Sequence, residues 1–216
     1  MRKWTLPLVT VFMLSACQSA YYGTMEKFGV EKRDILVDRV DDARDSQTDA
    51  QEEFRSALER LDAMLNIDGG NLEKQYNALL DDYEDSKSAA ESVRSRIDEV
   101  DEVANDLFDE WSEELGEYSN DTMRRESERQ LRQTERRYAE LLRVMERAAD
   151  KMQPVLDKMQ DNVLYLKHNL NAKAIDAIRG EFGNLQNDIS ALIKDMEAAV
   201  SESNRFIEAM KSSQSE

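Results

Sequence analysis

The sequence has 216 residues, of which 46 are acidic and 29 are basic, so its formal net charge at neutral pH is −17. A chain this negative lacks the basic surface that displaces counterions from phosphates, and an anionic membrane surface repels it. We therefore expect no nucleic-acid partner. One cysteine cannot form an internal disulfide, and one histidine without a neighbouring cysteine or histidine cannot form a zinc site.

The composition is typical of long helices. Charged residues make up 35% of the chain and hydrophobic residues 40%, whereas only 7 Gly and 2 Pro are available to interrupt an element. Valine, isoleucine and threonine are scattered at helical spacing instead of alternating in short runs, so no strand is indicated. We predict an all-α fold.

The first 16 residues have the organisation of a lipoprotein signal peptide. Arg2 and Lys3 form a basic start, residues 4–14 are apolar but too few to span a bilayer, and the tetrapeptide Leu-Ser-Ala-Cys ends at Cys17. This tetrapeptide resembles the lipobox of bacterial lipoproteins, which implies cleavage before Cys17 and attachment of lipid, including palmitate, to it. A free cysteine, or a signal peptide that is cut elsewhere, is the alternative interpretation.

Residues 17–23 would then form a lipidated tether. Two or more acyl chains anchor a protein stably, because each buried methylene contributes roughly 0.8 kcal/mol. Gln18 follows the cysteine, where many lipoproteins retained in the inner membrane have an aspartate. By this analogy we expect the chain at the periplasmic face of the outer membrane, held by its N-terminal lipid and in contact with other envelope proteins.

The rest of the chain carries a heptad pattern, in which apolar or small residues recur with alternating steps of three and four. Helices of similar length joined by short turns run antiparallel. At 1.5 Å per residue, such helices are roughly 65 to 75 Å long. We predict a single elongated antiparallel bundle over residues 24–213, built from four long coiled-coil-like helices at about residues 24–66, 71–116, 120–168 and 172–213.

The last of these boundaries can be drawn in two places. The heptad phase slips after Leu166, which places a turn near residues 168–171, with Asn171 as the N-cap of the next helix. Helix propensity alone would instead end the third helix at Gly180 or Gly183. We choose the earlier boundary, because the heptad continues through both glycines.

The spacing also predicts how the first two helices pair. Folding back at the first turn sets Gln47 opposite Ala90 and Ala50 opposite Ser86. The small side chains of Ala50, Ser86 and Ala90 let the backbones approach, or leave room for another helix to insert. In the third helix, Pro154 removes one backbone hydrogen bond and should kink the helix.

Charge patterning predicts the pairing of the second and third helices. Residues 98–117 contain ten acidic side chains and no basic one, whereas residues 124–147 contain eight arginines. An antiparallel turn between the blocks sets them face to face, and their complementarity would select neighbour and orientation. An arginine face for an anionic partner is the functional alternative. The expected pairs are Glu102 with Arg136, Asp106 with Arg132, and Asp109 with Arg129.

No arrangement of residues indicates catalysis. The chain has no glycine-rich phosphate loop and no serine in a nucleophile-elbow context, and solvated helix faces account for its many carboxylates. We therefore predict no enzyme, no metal site and no cofactor. His168, Asn169 and Asn171 form the one segment that the heptad does not explain, and they are either a helix-ending turn or a distal interaction loop.

Two segments, residues 21–37 (YYGTMEKFGVEKRDILV) and residues 163–172 (VLYLKHNLNA), carry a resemblance to known proteins. They resemble an uncharacterised domain-of-unknown-function family of bacterial coiled-coil lipoproteins. The resemblance covers roughly residues 20–210. It implies an all-helical fold and no assigned activity or functional residue.

The function expected from the sequence is geometric. We expect an envelope lipoprotein that acts as a structural or protein-interaction module. A periplasmic chaperone-like module, or a membrane-active binding module, is the alternative. Heptad surfaces outside the bundle core could also pair between chains, which would give a homo-oligomer.

Overall fold

A computed structural model describes residues 32–66, 71–169 and 171–212, and these residues are almost entirely helical. No strand occurs in this described part of the chain. The prediction of an all-α fold with four long helices is confirmed. The helices are α1 (Lys32–Leu65), α2 (Leu72–Glu114), α3 (Asp121–His168) and α4 (Ala172–Ser212).

The four helices close into one bundle. α1 packs against α2 and α4, and α3 packs against the same two helices. Short turns connect consecutive helices, which therefore run in opposite directions. Because α1 contacts α4, the arrangement is a closed ring and not two separate hairpins. The longest helix, α3, has 48 residues, which corresponds to about 72 Å.

The core consists of the heptad-spaced side chains. Further apolar residues beside heptad positions, among them Val103, Val144 and Leu156, are also buried. A helix in a four-helix bundle contacts two neighbours, so its buried stripe is wider than the two positions of a simple coiled coil. The largest fully buried side chains are Phe54, Leu36, Leu141, Met145, Met152, Leu166, Ile189, Leu192, Met196, Gln47, Val40 and Val93.

Polar contacts between neighbouring helices define the register. The hydroxyl oxygens of Ser46 and Ser92 lie 3.0 Å apart across α1 and α2, within two residues of the pairing expected from the heptad. Across α2 and α3, Trp111 Nε1 donates a hydrogen bond of 2.8 Å to Ser127 Oγ. Both contacts join positions at equal distances from the intervening turn, as an antiparallel pair requires.

Asparagine side chains begin the second and third helices. The Asn71 Oδ1 atom accepts a hydrogen bond of 3.2 Å from the backbone N–H of Lys74. The Asn120 Oδ1 atom accepts from the N–H groups of Thr122 and Met123, at 2.9 and 3.2 Å. These N-caps satisfy donors that have no partner within the first helical turn.

The last helix begins at the earlier of the two boundaries considered. α4 starts at Ala172 and continues through Gly180 and Gly183. A Cβ atom added at either glycine would meet no other atom within 4 Å. Packing therefore does not require a glycine at these two positions, and burial of the heptad face overrides their low helix propensity.

α3 continues as a helix through Pro154. A proline has no N–H group to donate to the carbonyl four residues earlier, which here belongs to Asp150. Arg94 on α2 lies beside this turn, where its Nη2 atom donates to the carbonyl oxygen of Ala149 at 3.0 Å and its Nη1 atom lies 3.6 Å from Asp150 Oδ1. The guanidinium of Arg94 therefore bonds to the turn beside the proline, but not to the carbonyl that the proline leaves without a donor, and the kink itself stays a prediction.

The ion pairs expected between α2 and α3 are not formed, so this prediction was wrong. Side chains three or four residues apart on one helix lie on the same exposed face, and they are closer than partners on the neighbouring helix. Most of the ion-paired arginines of α3 pair within α3 for this reason, whereas Arg147 pairs with Asp195 of α4. The expected pairs that are absent are Glu102 with Arg136, Asp106 with Arg132, and Asp109 with Arg129. The pairs observed within α3 include Arg129 with Glu126, Arg132 with Glu128, and Arg143 with Glu140.

Candidate functional site

The turn between α3 and α4 brings together the three residues that the sequence singled out. α3 ends at His168. The Asn169 Nδ2 atom donates to the carbonyl oxygen of Tyr165 at 3.0 Å, and the Asn171 Oδ1 atom accepts from the backbone N–H of Ala174 at 3.3 Å. Asn171 is therefore the N-cap of α4, and both asparagine side chains are occupied by local capping.

His168 is the member of this turn whose side chain remains available. Its imidazole is exposed and makes no hydrogen bond or ion pair with the described part of the chain. With Lys167 it lies in the last turn of α3, where a positive charge interacts favourably with the helix dipole. Helix termination accounts for its position, and a role in an interaction loop stays a prediction.

Two large apolar side chains next to this turn are exposed, and sequence reasoning did not single them out. Leu164 and Tyr165 are each 45% exposed, although they lie between the buried residues Val163 and Leu166. The sequence did contain a signal for their exposure, because both are large apolar residues at positions outside the heptad pattern. Together with His168, they form a surface that we call the distal strip (Leu164, Tyr165 and His168).

The distal strip lies at the end of the bundle that is remote from the start of α1. In an up-and-down bundle the α1–α2 and α3–α4 turns share one end. The start of α1, the α2–α3 turn and the end of α4 share the other end. That second end also has exposed apolar side chains, since Tyr118 is 39% exposed and Met123 is 58% exposed.

A groove of about 550 Å³ runs between α1 and α2 on the outside of the bundle. Its lining combines acidic side chains with the small side chains of serine and alanine. The carboxylates outnumber the single guanidinium, which belongs to Arg96 and is held by Glu99 at 2.9 Å. The lining residues are Asp42, Asp45, Ser46, Asp49, Glu53, Asp85, Ser88, Ala89, Ser92 and Arg96.

The acidic groove does not have the geometry of a metal site. Nowhere in residues 32–66, 71–169 and 171–212 are three histidine, cysteine or carboxylate side chains grouped closely enough to hold a metal ion. The carboxylates of α1 are partly neutralised by arginines of the same helix. Arg39 lies 3.4 Å from Asp42, and Arg44 lies 2.7 Å from Asp45.

Two partly buried polar contacts join neighbouring helices, and each includes an acidic group whose pKa is shifted. The Tyr138 hydroxyl donates to Asp101 Oδ1 at 2.6 Å, and desolvation together with this hydrogen bond raises the pKa of Tyr138 above its ordinary value of 10.0. Burial raises the pKa of Asp82, although its ion pair with Arg60 opposes the shift. Both contacts lie between helices and stabilise their packing.

The arginine-rich part of α3 is exposed to solvent. Arg136 and Arg137 form no ion pair within the described residues, whereas most of the other arginines of this segment are held by carboxylates. An arginine face for an anionic partner therefore has two free guanidinium groups. Two exposed cations on one helix do not by themselves define a ligand.

The predicted lipid-attachment residue, Cys17, lies outside the described residues, as do the signal peptide and the tether. None of the four described helices has a stretch that is both long enough and apolar enough to cross a bilayer. The described chain is therefore a closed bundle of four amphipathic helices, with an acidic groove and with exposed apolar side chains at both ends.

This chain belongs to a family of proteins of unknown function, DUF2959, whose family model matches residues 21–210. The match confirms that the chain is a member of a domain-of-unknown-function family, and it covers the first three helices and all but the last two residues of α4. Comparisons with curated proteins and with solved structures found no match.

Proposed function

We propose that this protein is a lipid-anchored rod of the cell envelope, acting as a structural or protein-interaction module at the periplasmic face of the outer membrane. The lipobox-like sequence at Cys17 supports anchoring at the N-terminus. The single observation that carries the interaction role is the distal strip, where Leu164 and Tyr165 are exposed in a protein whose other apolar residues are mostly buried.

The geometry of the bundle supports a function that depends on reach. α1 starts at the end where the tether would attach, and the distal strip lies at the opposite end. Helices of 34 to 48 residues separate the two ends by about 50 to 70 Å. A rigid closed bundle would thus present an apolar and histidine-containing surface at a fixed distance from the membrane.

Lipid anchoring is tested by replacing Cys17, which is the only cysteine in the chain. The natural sequence should incorporate labelled palmitate and sediment with membranes. Cys17→Ser should lose the label and appear in the soluble periplasmic fraction. Labelling that persists in Cys17→Ser would contradict the anchoring proposal.

The interaction role is tested by photo-crosslinking in cells. A photoreactive amino acid at Tyr165 should give a discrete adduct, and the same amino acid at Met123 provides a control at the other end of the bundle. Leu164→Asp should weaken the adduct formed from position 165, because it places a charge in the apolar strip. Equal adducts from both ends, or an adduct from position 123 alone, would contradict a distal interaction site.

A second candidate, a chaperone-like or membrane-active binding module, is favoured by one observation. Gln47 and Ser86 are fully buried, and their side-chain polar atoms lack hydrogen-bond partners in the protein. Such a layer lowers the free energy needed to open the bundle. Anionic or zwitterionic vesicles should then change the helical circular dichroism or the unfolding midpoint, and a midpoint that vesicles do not move would contradict this function.

A further inference from the structure

The middle of the bundle core contains polar side chains that find no protein partner. Gln47 and Ser86 are both 0% exposed. Neither the Gln47 amide nitrogen, nor its amide oxygen, nor the Ser86 hydroxyl forms a hydrogen bond with another protein atom. Ser203, which is equally buried, differs because its hydroxyl donates to the carbonyl oxygen of Ala199 at 2.9 Å. Gln47 and Ser86 therefore need an explanation of their own.

Small side chains from the neighbouring helices occur at the level of Gln47. The contact of Ser46 with Ser92 sets Gln47 close to the level of Ala90 on α2. On α4, the hydrogen bond of 3.2 Å from Arg44 to Asn204 places Ala199 and Ser203 at nearly the same height along the bundle as Gln47. Alanine and serine fill little volume, so the layer around Gln47 has fewer large apolar side chains than the layers that contain Phe54 or Leu36.

The groove between α1 and α2 lies over this same layer. Its lining covers positions 42–53 of α1 and 85–96 of α2, which include the levels of both unpartnered side chains. The lining includes the small residues Ser46 and Ala89, which are half-buried and directly precede Gln47 and Ala90 in the sequence. A polar groove open to solvent therefore lies beside the Gln47 layer, with small side chains in its lining.

We propose that Gln47 and Ser86 bind ordered water inside the bundle, and that this water exchanges with solvent through the groove between α1 and α2. A buried water molecule typically makes two to four hydrogen bonds to polar groups that otherwise lack partners. The Gln47 amide offers two donors and an acceptor, and the Ser86 hydroxyl can donate or accept. Water can therefore satisfy both residues without any other protein group.

The proposal is tested by nuclear magnetic resonance on the full chain with isotope-labelled glutamine side chains. The side-chain amide protons of Gln47 should show cross-relaxation with water of the sign given by a bound water molecule. Ser86→Val fills the site with an apolar group and should abolish this cross-peak. Ser88→Val is the matched control, because Ser88 lines the groove but is exposed, and it should leave the cross-peak in place.

Two outcomes would overturn the proposal. The first is the absence of a water cross-peak at Gln47 in the natural sequence, which would mean that the layer is dry. The second is a cross-peak that Ser86→Val leaves unchanged, which would mean that Ser86 does not share the site. If Ser86→Val does not fold, Ser86→Ala takes its place, because it removes the hydroxyl without adding volume and should still weaken the cross-peak.

Discussion

Tyr138 joins three of the four helices. Its hydroxyl donates to Asp101 on α2, and its ring packs edge-on against Phe108 on α2 and Phe206 on α4, with centroid distances of 5.5 and 6.5 Å. Such edge-to-face aromatic pairs contribute roughly 0.5 to 1.5 kcal/mol each beyond the area they bury. Tyr138 is thus a residue whose chemistry, and not only its volume, holds helices together.

The raised pKa of Tyr138 predicts how stability depends on pH. In the unfolded chain the hydroxyl loses its proton near pH 10, whereas in the folded protein it keeps that proton. Above about pH 10 the folded state therefore binds more protons, and the free energy of unfolding falls as pH rises. Denaturant unfolding of Tyr138→Phe should show a smaller fall than the natural sequence.

The phenylalanine variant should also cost stability at neutral pH. It loses one hydrogen bond, which contributes about 1 kcal/mol. Asp101→Asn is the second variant, because it keeps an acceptor near the hydroxyl but removes the negative charge that disfavours ionisation of Tyr138. It should also weaken the fall above pH 10, and identical slopes in all three proteins would contradict this account.

At the scale of the helix, two glycines weaken α4 without a packing reason. A Cβ atom at Gly180 or Gly183 would meet no neighbouring atom within 4 Å. Gly180→Ala and Gly183→Ala should each stabilise the protein by about 0.5 to 1 kcal/mol, because alanine loses less backbone entropy in a helix. For a chain of this size, each change should raise the thermal midpoint by roughly 1 to 4 °C.

A matched control for these substitutions lies in the turn before α3. A Cβ atom at Gly116 would lie only 3.3 Å from the carbonyl oxygen of Glu113, so Gly116→Ala should not raise the midpoint. A rise of equal size in all three variants would show that the gain does not come from helix propensity in α4.

A second prediction at this scale concerns Arg94 and Pro154. If the hydrogen bond of Arg94 to Ala149 stabilises the turn that the proline disrupts, Arg94→Ala should cost about 1 kcal/mol in the natural sequence and less in a Pro154→Ala background. Denaturant unfolding of both single variants and the double variant measures this coupling. An equal cost in both backgrounds would mean that Arg94 has no specific role beside the proline.

For the whole molecule, the contact between α1 and α4 is what closes the ring. Gln51 Nε2 donates to Glu197 Oε1 at 3.2 Å across these two helices. In a Cys17→Ser background, cysteines at positions 51 and 197 should be joined within one chain by a short bifunctional maleimide, as mass spectrometry of the digested protein would detect.

The control for this cross-link pairs position 51 with position 143. Arg143 is exposed on α3, and α3 lies diagonally across the ring from α1. This pair should not be joined within one chain. Joining of the diagonal pair in preference to positions 51 and 197 would contradict the observed order of the helices.

The heptad pattern alone predicted the four helices and most of their core-facing residues, whereas the predicted start of the first helix at residue 24 lies outside the described residues. This was possible because the spacing of three and four is a local property that any packed helix must satisfy. The start of α4 could be predicted for the same reason, since Leu166 and Ile175 fall in different phases on either side of Asn171. Membership of the family was likewise carried by the sequence.

Only the tertiary structure decided that the helices form one closed ring, because contact between α1 and α4 depends on how the two hairpins meet. It also decided that most of the ion-paired arginines of α3 pair with carboxylates of their own helix, since the choice between near partners depends on side-chain geometry. The distal strip became visible in the same way. The sequence shows that Leu164 and Tyr165 are apolar, but only the packing of the helices shows that no other helix covers them.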